Sequence, residues 1–160
     1  MIKKIYFAKV QPHGVIPSKR DEDGAFDIYA AFEDEYILLE PHETKLIPTG
    51  IASSFSDDYV AILKERGSTG TKGIGQRCGV IDSGYRGEWF VPLTNHNNRP
   101  LIIGKSAPAN FEGTFYSTEK AIAQCLMVVV PKLTIEELDY EQLKLKTSLR
   151  GVGALGSSGK

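Results

Sequence analysis

Cysteine is scarce in this 160-residue sequence: there are two, Cys78 and Cys125, far apart and in no CxxC spacing. That excludes a disulfide framework and a thiolate zinc site, and both thiols are expected to be reduced and buried. His13, His42 and His96 are isolated from one another, so no histidine cage for a metal is expected. Long apolar runs are missing as well. The longest, residues 125–130, is too short to span a bilayer, and residues 1–7 carry basic side chains without the apolar stretch of a signal peptide. A soluble, cytoplasmic protein with no membrane contact is expected. No sign of charge dominates: 19 Lys and Arg against 20 Asp and Glu leave a net charge of −1. No global field draws such a chain to nucleic acid, direct binding to which is not expected, and any polyanion must be held by a local site.

What is present is a succession of short β-branched and aromatic segments between Gly, Pro, Asn and Asp: 2–10, 26–30, 36–39, 45–47, 50–54, 60–63, 88–93, 101–103 and 122–130. Strands so many and so evenly spaced predict an all-β sandwich or barrel. No repeat or linker divides the chain, and a single domain of this size buries roughly 70% of its unfolded surface. Weak helical periodicity marks 69–76 and 134–143, the second with Thr134 and Glu137 as an N-cap box. The mixed charge runs 19–23 and 33–35 read as solvated loops. Asp27 is different: a carboxylate between Phe26 and Ile28 either faces solvent or aims into a site.

The most informative stretch is 79–88, Gly-Val-Ile-Asp-Ser-Gly-Tyr-Arg-Gly-Glu. Its Ser-Gly pair, flanked by Val80-Ile81 and Trp89-Phe90-Val91, predicts a tight β-hairpin in which glycine takes a positive φ. Asp82 and Tyr85 then face each other across its mouth. Exposed backbone groups beside a carboxylate suit recognition of a flat polar ring with chemistry next to it; an ordinary surface turn is the other reading. The segment 151–160, Gly-Val-Gly-Ala-Leu-Gly-Ser-Ser-Gly-Lys, is too poor in apolar residues to anchor itself and is expected to be mobile when nothing is bound. It reads as a frayed tail or, with Arg150 at its entrance, as a glycine-rich anion clamp. Its formal G-x-G-x-x-G is no dinucleotide fingerprint, which needs a helix and an acid about twenty residues on. A Walker A loop fails too: Ala154 stands where glycine is required, and no Ser or Thr follows Lys160.

Five segments in one order resemble the trimeric dUTPase family: Gly-Ala-Phe-Asp-Ile-Tyr-Ala at 24–30, Glu-Arg-Gly-Ser-Thr-Gly at 65–70, the stretch 79–88, Ile-Ala-Gln at 122–124, and 150–159. The resemblance implies a distorted jelly-roll barrel with one or two short helices over residues 1–149. It implies a flexible Gly/Ser-rich arm over 150–160 that clamps phosphate as part of the same domain. The implied activity is hydrolysis of dUTP to dUMP and pyrophosphate with Mg²⁺. That reaction lowers dUTP, keeping uracil out of DNA, and supplies dUMP for thymidylate synthesis. By the same resemblance Asp82 orients and deprotonates the water that attacks the α-phosphate. Tyr85 packs beneath the deoxyribose and excludes a 2′-hydroxyl, the backbone around Gly79, Val80 and Ile81 pairs with uracil, and Gln76 lies near the base. Arg66, Gly67, Ser68 and Gln124 contact the phosphates, Asp27 reaches Mg²⁺ through water, and Arg150 with the backbone of Gly156, Ser157 and Ser158 closes over the γ-phosphate. Three shared sites are implied in a homotrimer, the tail of one subunit covering a site formed by the other two.

An exposed aspartate with a pKa of about 3.9 is a weak base at neutral pH, so most of the barrier must fall through positioning and charge neutralisation. The sequence departs from the family pattern at three places. Gly67-Ser68 stand in the reverse of the usual order. Ala121 and Lys120 stand where an arginine and an acid are usual, so an ion pair of relatives is expected to be missing. Leu155 occupies the place of an aromatic that stacks on uracil, forgoing a contact worth about 1–3 kcal/mol per base; Trp89 or Phe90 is a candidate substitute lid. A dCTP deaminase, the rival enzyme, needs a glutamate about ten residues beyond the hairpin aspartate, where this sequence has Pro92 and Leu93, and Glu88 is too close to serve. A regulatory protein that keeps the pocket to bind a protein partner, or a β-sandwich ligand-binding module, are the readings of another class.

Overall fold

The computed structural model describes residues 3–154. The predicted segments form β1 (Ile5–Lys9), β2 (Phe26–Ile28), β3 (Tyr36–Leu39), β4 (Thr44–Pro48), β5 (Ile51–Phe55), β6 (Tyr59–Lys64), β9 (Phe90–Asn95), β10 (Leu101–Gly104) and β12 (Ala123–Val129). Between them lie β7 (Ile74–Gln76), β8 (Val80–Ile81) and β11 (Thr114–Ser117). They pair in the orders β1-β5, β11-β10-β3, β2-β12-β6-β8 and β4-β9-β7, a jelly-roll-like all-β arrangement. The pairs are antiparallel except β10 with β11. Alternate residues of these strands turn inward, as the two-residue strand period requires. Ile28, Leu39, Ile47, Leu63, Trp89, Val91, Leu93 and Leu101 join one buried core.

Both helices are shorter than the periodicity predicted. α1 (Gly67–Gly70) stops before Ile74, whose side chain is drawn into the core as β7 pairs with β9. α2 (Tyr140–Lys144) starts only after Asp139, whose carboxylate accepts from the Gln142 N–H at 3.0 Å; Thr134 and Glu137 cap nothing. The cap that prevails is the one nearest the turn it closes.

The predicted hairpin does not form. β8 pairs with β6, while β9 pairs with β4 and β7, so the strands on either side of Asp82 belong to different sheets. Between them the chain makes a single turn, Tyr85 N–H donating to the Asp82 carbonyl at 3.1 Å. Gly84 has no left-handed φ; the positive values lie upstream, at Cys78 (59°) and Gly79 (133°). A Cβ on Gly79 would stand 2.7 Å from the Leu63 carbonyl oxygen, so this crossing of β6 requires glycine. Cys125 is buried as expected, but Cys78, turned outward by that kink, is exposed. The charge runs 19–23 and 33–35 are largely solvated.

Candidate active site

The predicted site residues gather in two places. At the open edge of the four-stranded sheet, Cys78, Gly79, Val80, Ile81, Asp82, Tyr85, Glu88 and Phe90 line a cavity of about 360 Å³ with Leu46 and Pro92. β8 is the last strand of its sheet. Leu63 N–H donates to the Gly79 carbonyl at 2.8 Å, so by strand alternation the Val80 N–H and C=O point the other way, off the edge. One donor and one acceptor therefore sit side by side next to the exposed Asp82. The turn is fixed by its own side chains: Tyr85 Oη donates to the Glu88 carbonyl at 2.9 Å and Arg86 to the Ser83 carbonyl at 2.6 Å. Glu88 is occupied, its carboxylate accepting the Gly50 N–H at 2.8 Å. Trp89 is fully buried, edge-on to Phe7 at 5.5 Å, so it is core and no lid. Phe90, 39% exposed, is the aromatic of the pair that reaches the cavity.

The second place is a cavity of about 660 Å³, walled by Asp27, Arg66, Gln124 and the loop from Ser18 to Ala25. Asp27 on β2 pairs with Gln124 on β12, which pairs with Lys64 on β6, so three neighbouring strands present these groups at one end of the sheet. Arg66 Nε donates to the Asp27 carboxylate at 3.1 Å, both side chains about one-third exposed. The Arg66 main chain is held by buried Thr69, whose hydroxyl accepts the Arg66 N–H at 3.1 Å and donates to its carbonyl at 3.0 Å. Ser68, in its reversed position, lies 3.3 Å from an Arg66 guanidinium nitrogen. Gln124 Nε2 donates to the Glu65 carbonyl at 2.7 Å. The Glu65 carboxylate is held below its ordinary range by its own N–H and by that of Gln76, which it meets at 3.2 Å. Gln76 turns its amide to the Cys78 carbonyl at 3.4 Å and does not line the first cavity. Among the described residues no three His, Cys, Asp or Glu stand together as metal ligands.

The two places are well separated. Asp82 follows Ile81, which pairs with Ala61 near the start of β6, whereas Arg66 lies just past the end of that strand at Lys64. Arg150 lines neither cavity; it lies in the largely exposed segment 131–154, where its guanidinium donates to the Gly153 carbonyl at 2.8 Å. Leu155, Gly156, Ser157 and Ser158 lie outside the described residues. Residues that sequence reasoning missed include Glu65 and Tyr116, whose polar groups hold others in place; both lie outside the predicted strands, and nothing local marks a carboxylate or phenol for that work.

A family model described as dUTPase matches residues 12–107. The deoxyuridine 5′-triphosphate nucleotidohydrolase of Nautilia profundicola is 32% identical over 161 aligned positions, covering 98% of this chain and 99% of that protein. The enzyme of the same name from Mycolicibacterium gilvum is 30% identical, covering 99% and 97%. In fold, the dUTPase of Staphylococcus bacteriophage 80alpha with dUPNHPP superposes with a TM-score of 0.78 at 22% identity, covering 98% of this chain and 99% of that chain. A phage phi11 dUTPase from S. aureus, described with a structural Mg(II) ion, does so at 0.70 and 20%, covering 85% and 97%. An acid beside an open strand edge, an arginine just past β6 paired with an aspartate on β2, and relatives aligned along nearly the whole length agree: the chain belongs to the dUTPase family.

Proposed function

We propose that this dUTP diphosphatase works by attack of an Asp82-activated water on the α-phosphate of dUTP, in sites shared between subunits of a homotrimer. The observation that supports it most is the Asp82 cavity itself. The Val80 N–H and C=O leave the sheet edge as a donor–acceptor pair complementary to uracil's O4 and N3–H, and cytosine presents the reverse order. A pocket that leaves such groups unpaired with the wrong base discriminates by about 10⁴–10⁵. Tyr85, one turn from Asp82, would pack beneath the sugar, and Phe90 would cover the base where Leu155 cannot stack.

Catalysis then rests on position and charge. Asp82 accepts the proton of a water held for in-line attack, and pyrophosphate leaves. Arg66, Ser68 and Gln124 would bind the phosphates, Arg66 exchanging its Asp27 partner for phosphate oxygens, a charge-assisted bidentate contact. Arg150 and the following arm, 150–160, would close over the γ-phosphate. Asp27 keeps free carboxylate lone pairs beside the 660 Å³ cavity, which fits an outer contact through water to a Mg²⁺ carried by the triphosphate. That ion would neutralise charge on the phosphates. The biological consequence would be less uracil entering DNA and a supply of dUMP for thymidylate synthesis.

Because Asp82 and Arg66 lie toward opposite ends of β6, the carboxylate that activates the water and the guanidinium that binds the phosphates would come from different copies. The exposed stretch 131–154, with Ile135 and Leu145 almost bare, is what an arm lying on a neighbour looks like when that neighbour is taken away. The test is Asp82→Asn assayed with dUTP, dCTP and dTTP plus Mg²⁺, following pyrophosphate and ammonia. The parent is expected to release pyrophosphate from dUTP alone, and the variant to be about 10²–10⁴-fold slower. An undiminished rate, or ammonia from dCTP, would refute the assignment.

A further inference from the structure

Tyr116 on β11 is 2% exposed, and a phenol so deep in a core needs a partner for its hydroxyl. It donates to the Ala121 carbonyl at 2.6 Å. With its proton committed there, the phenolic oxygen accepts from the Ser68 hydroxyl, 3.3 Å away. Ser68 in turn accepts from an Arg66 guanidinium N–H at 3.3 Å. The bonds run in one direction, from Arg66 to Ser68 to Tyr116 to Ala121. The same Arg66 nitrogen stands 3.5 Å from the Ala121 carbonyl, at the limit of a hydrogen bond. Removing the phenolic oxygen would therefore do two things: untie Ser68, and leave a carbonyl that Arg66 is placed to take.

We propose that Tyr116 is a positioning residue for the triphosphate: by occupying the Ala121 carbonyl and anchoring Ser68, it keeps the Arg66 guanidinium facing the large cavity. The inference rests on the reading of Arg66 and Ser68 as phosphate contacts. It accounts for a polar side chain that is buried and lines neither cavity. Losing the network should weaken what Arg66 and Ser68 hold, the outer phosphates, and spare the base, the sugar and Asp82.

The test is equilibrium binding of a non-hydrolysable dUTP analogue and of dUMP to Tyr116→Phe, which keeps the ring and deletes one oxygen, together with steady-state kinetics. The analogue is expected to bind about tenfold more weakly and dUMP within about twofold of the parent, with KM raised and kcat within about threefold. Ser68→Ala serves as the surface variant that does not disturb the core, and the double variant should lose little beyond either single one, because both break one chain of bonds. Should Tyr116→Phe leave both ligands unaffected, or weaken both alike, while Arg66→Ala still weakens the analogue selectively, the role of Tyr116 is overturned and the phosphate assignment stands. Should Arg66→Ala itself leave the analogue's affinity intact, the phosphate assignment falls and takes the inference with it.

Discussion

Two thiols on opposite sides of β6 end in opposite environments, and the cause is a single backbone choice. Cys125 sits on β12 opposite Leu63, where burial pushes its pKa up to about 12. Cys78 sits one residue before Gly79, in a left-handed conformation that turns it onto the rim of the Asp82 cavity. The thiolate is the nucleophile, so reactivity should follow these environments. Native protein treated with iodoacetamide is expected to take one label, at Cys78, and Cys125 should react only after unfolding, as peptide mass spectrometry will show. A dUTP analogue filling the cavity should slow the Cys78 reaction. Comparable native labelling of Cys125 would mean that the core around β12 opens far more than its packing implies.

Most strands were legible in the sequence because a half-buried strand writes its two-residue period directly into alternating side chains, and each of the nine predicted segments contains one; β7 was masked by a weak helical period and β11 carried too short a pattern. The connection at 82–88 was not legible as it is. Local turn chemistry marked the bend correctly, yet which partner each flanking strand takes is settled by β6 and β4, distant in sequence, and no window around Ser83-Gly84 contains that information. α1 was overread for a related reason, since pairing with β9 outweighs a weak helical period beyond Gly73. Of the candidate site, Asp27 and Asp82 stood out by their chemistry in their setting, while Arg66 and Gln124 were marked only by the resemblance; the groups that hold them were not marked at all. Glu65 is the clearest of these, joining the end of β6 to β7 through the Gln76 N–H. Its carboxyl titrates below its ordinary value near 4.5, first through its own N–H and then that of Gln76. A depressed folded value stabilises the fold above the unfolded value, and this contribution fades as pH falls through the folded one. The melting-temperature gap between the parent and Glu65→Gln should therefore be widest near pH 6 and shrink towards pH 3. A gap that stays constant across that range would show that the charge of Glu65 contributes nothing to the tie.

At the scale of the whole molecule, the separation of the two cavities has a consequence that kinetics can read directly. If one chain supplied both halves of a site, Asp82→Asn and Arg66→Ala would each abolish that chain's activity, and mixing them would recover nothing. In a trimer whose sites take the Asp82 half from one subunit and the Arg66 half from another, each variant is inactive by itself, but mixed assemblies contain intact sites. Random assembly of equal amounts of the two variants makes about a quarter of the sites carry both native side chains, because each half is native with even odds in a closed ring of equivalent subunits. Co-expressed and co-purified mixtures should therefore regain about one quarter of the parent kcat with an unchanged KM. Each variant purified alone, and the two mixed only after folding, should stay near background until subunits exchange. The unchanged KM matters, since a regained site is a complete one; recovery with a raised KM would point instead to partial rescue within damaged sites. No recovery in co-assembled mixtures would place Asp82 and Arg66 in a single subunit's site, and the arm and registers that keep them apart in this chain would then have to rearrange on binding.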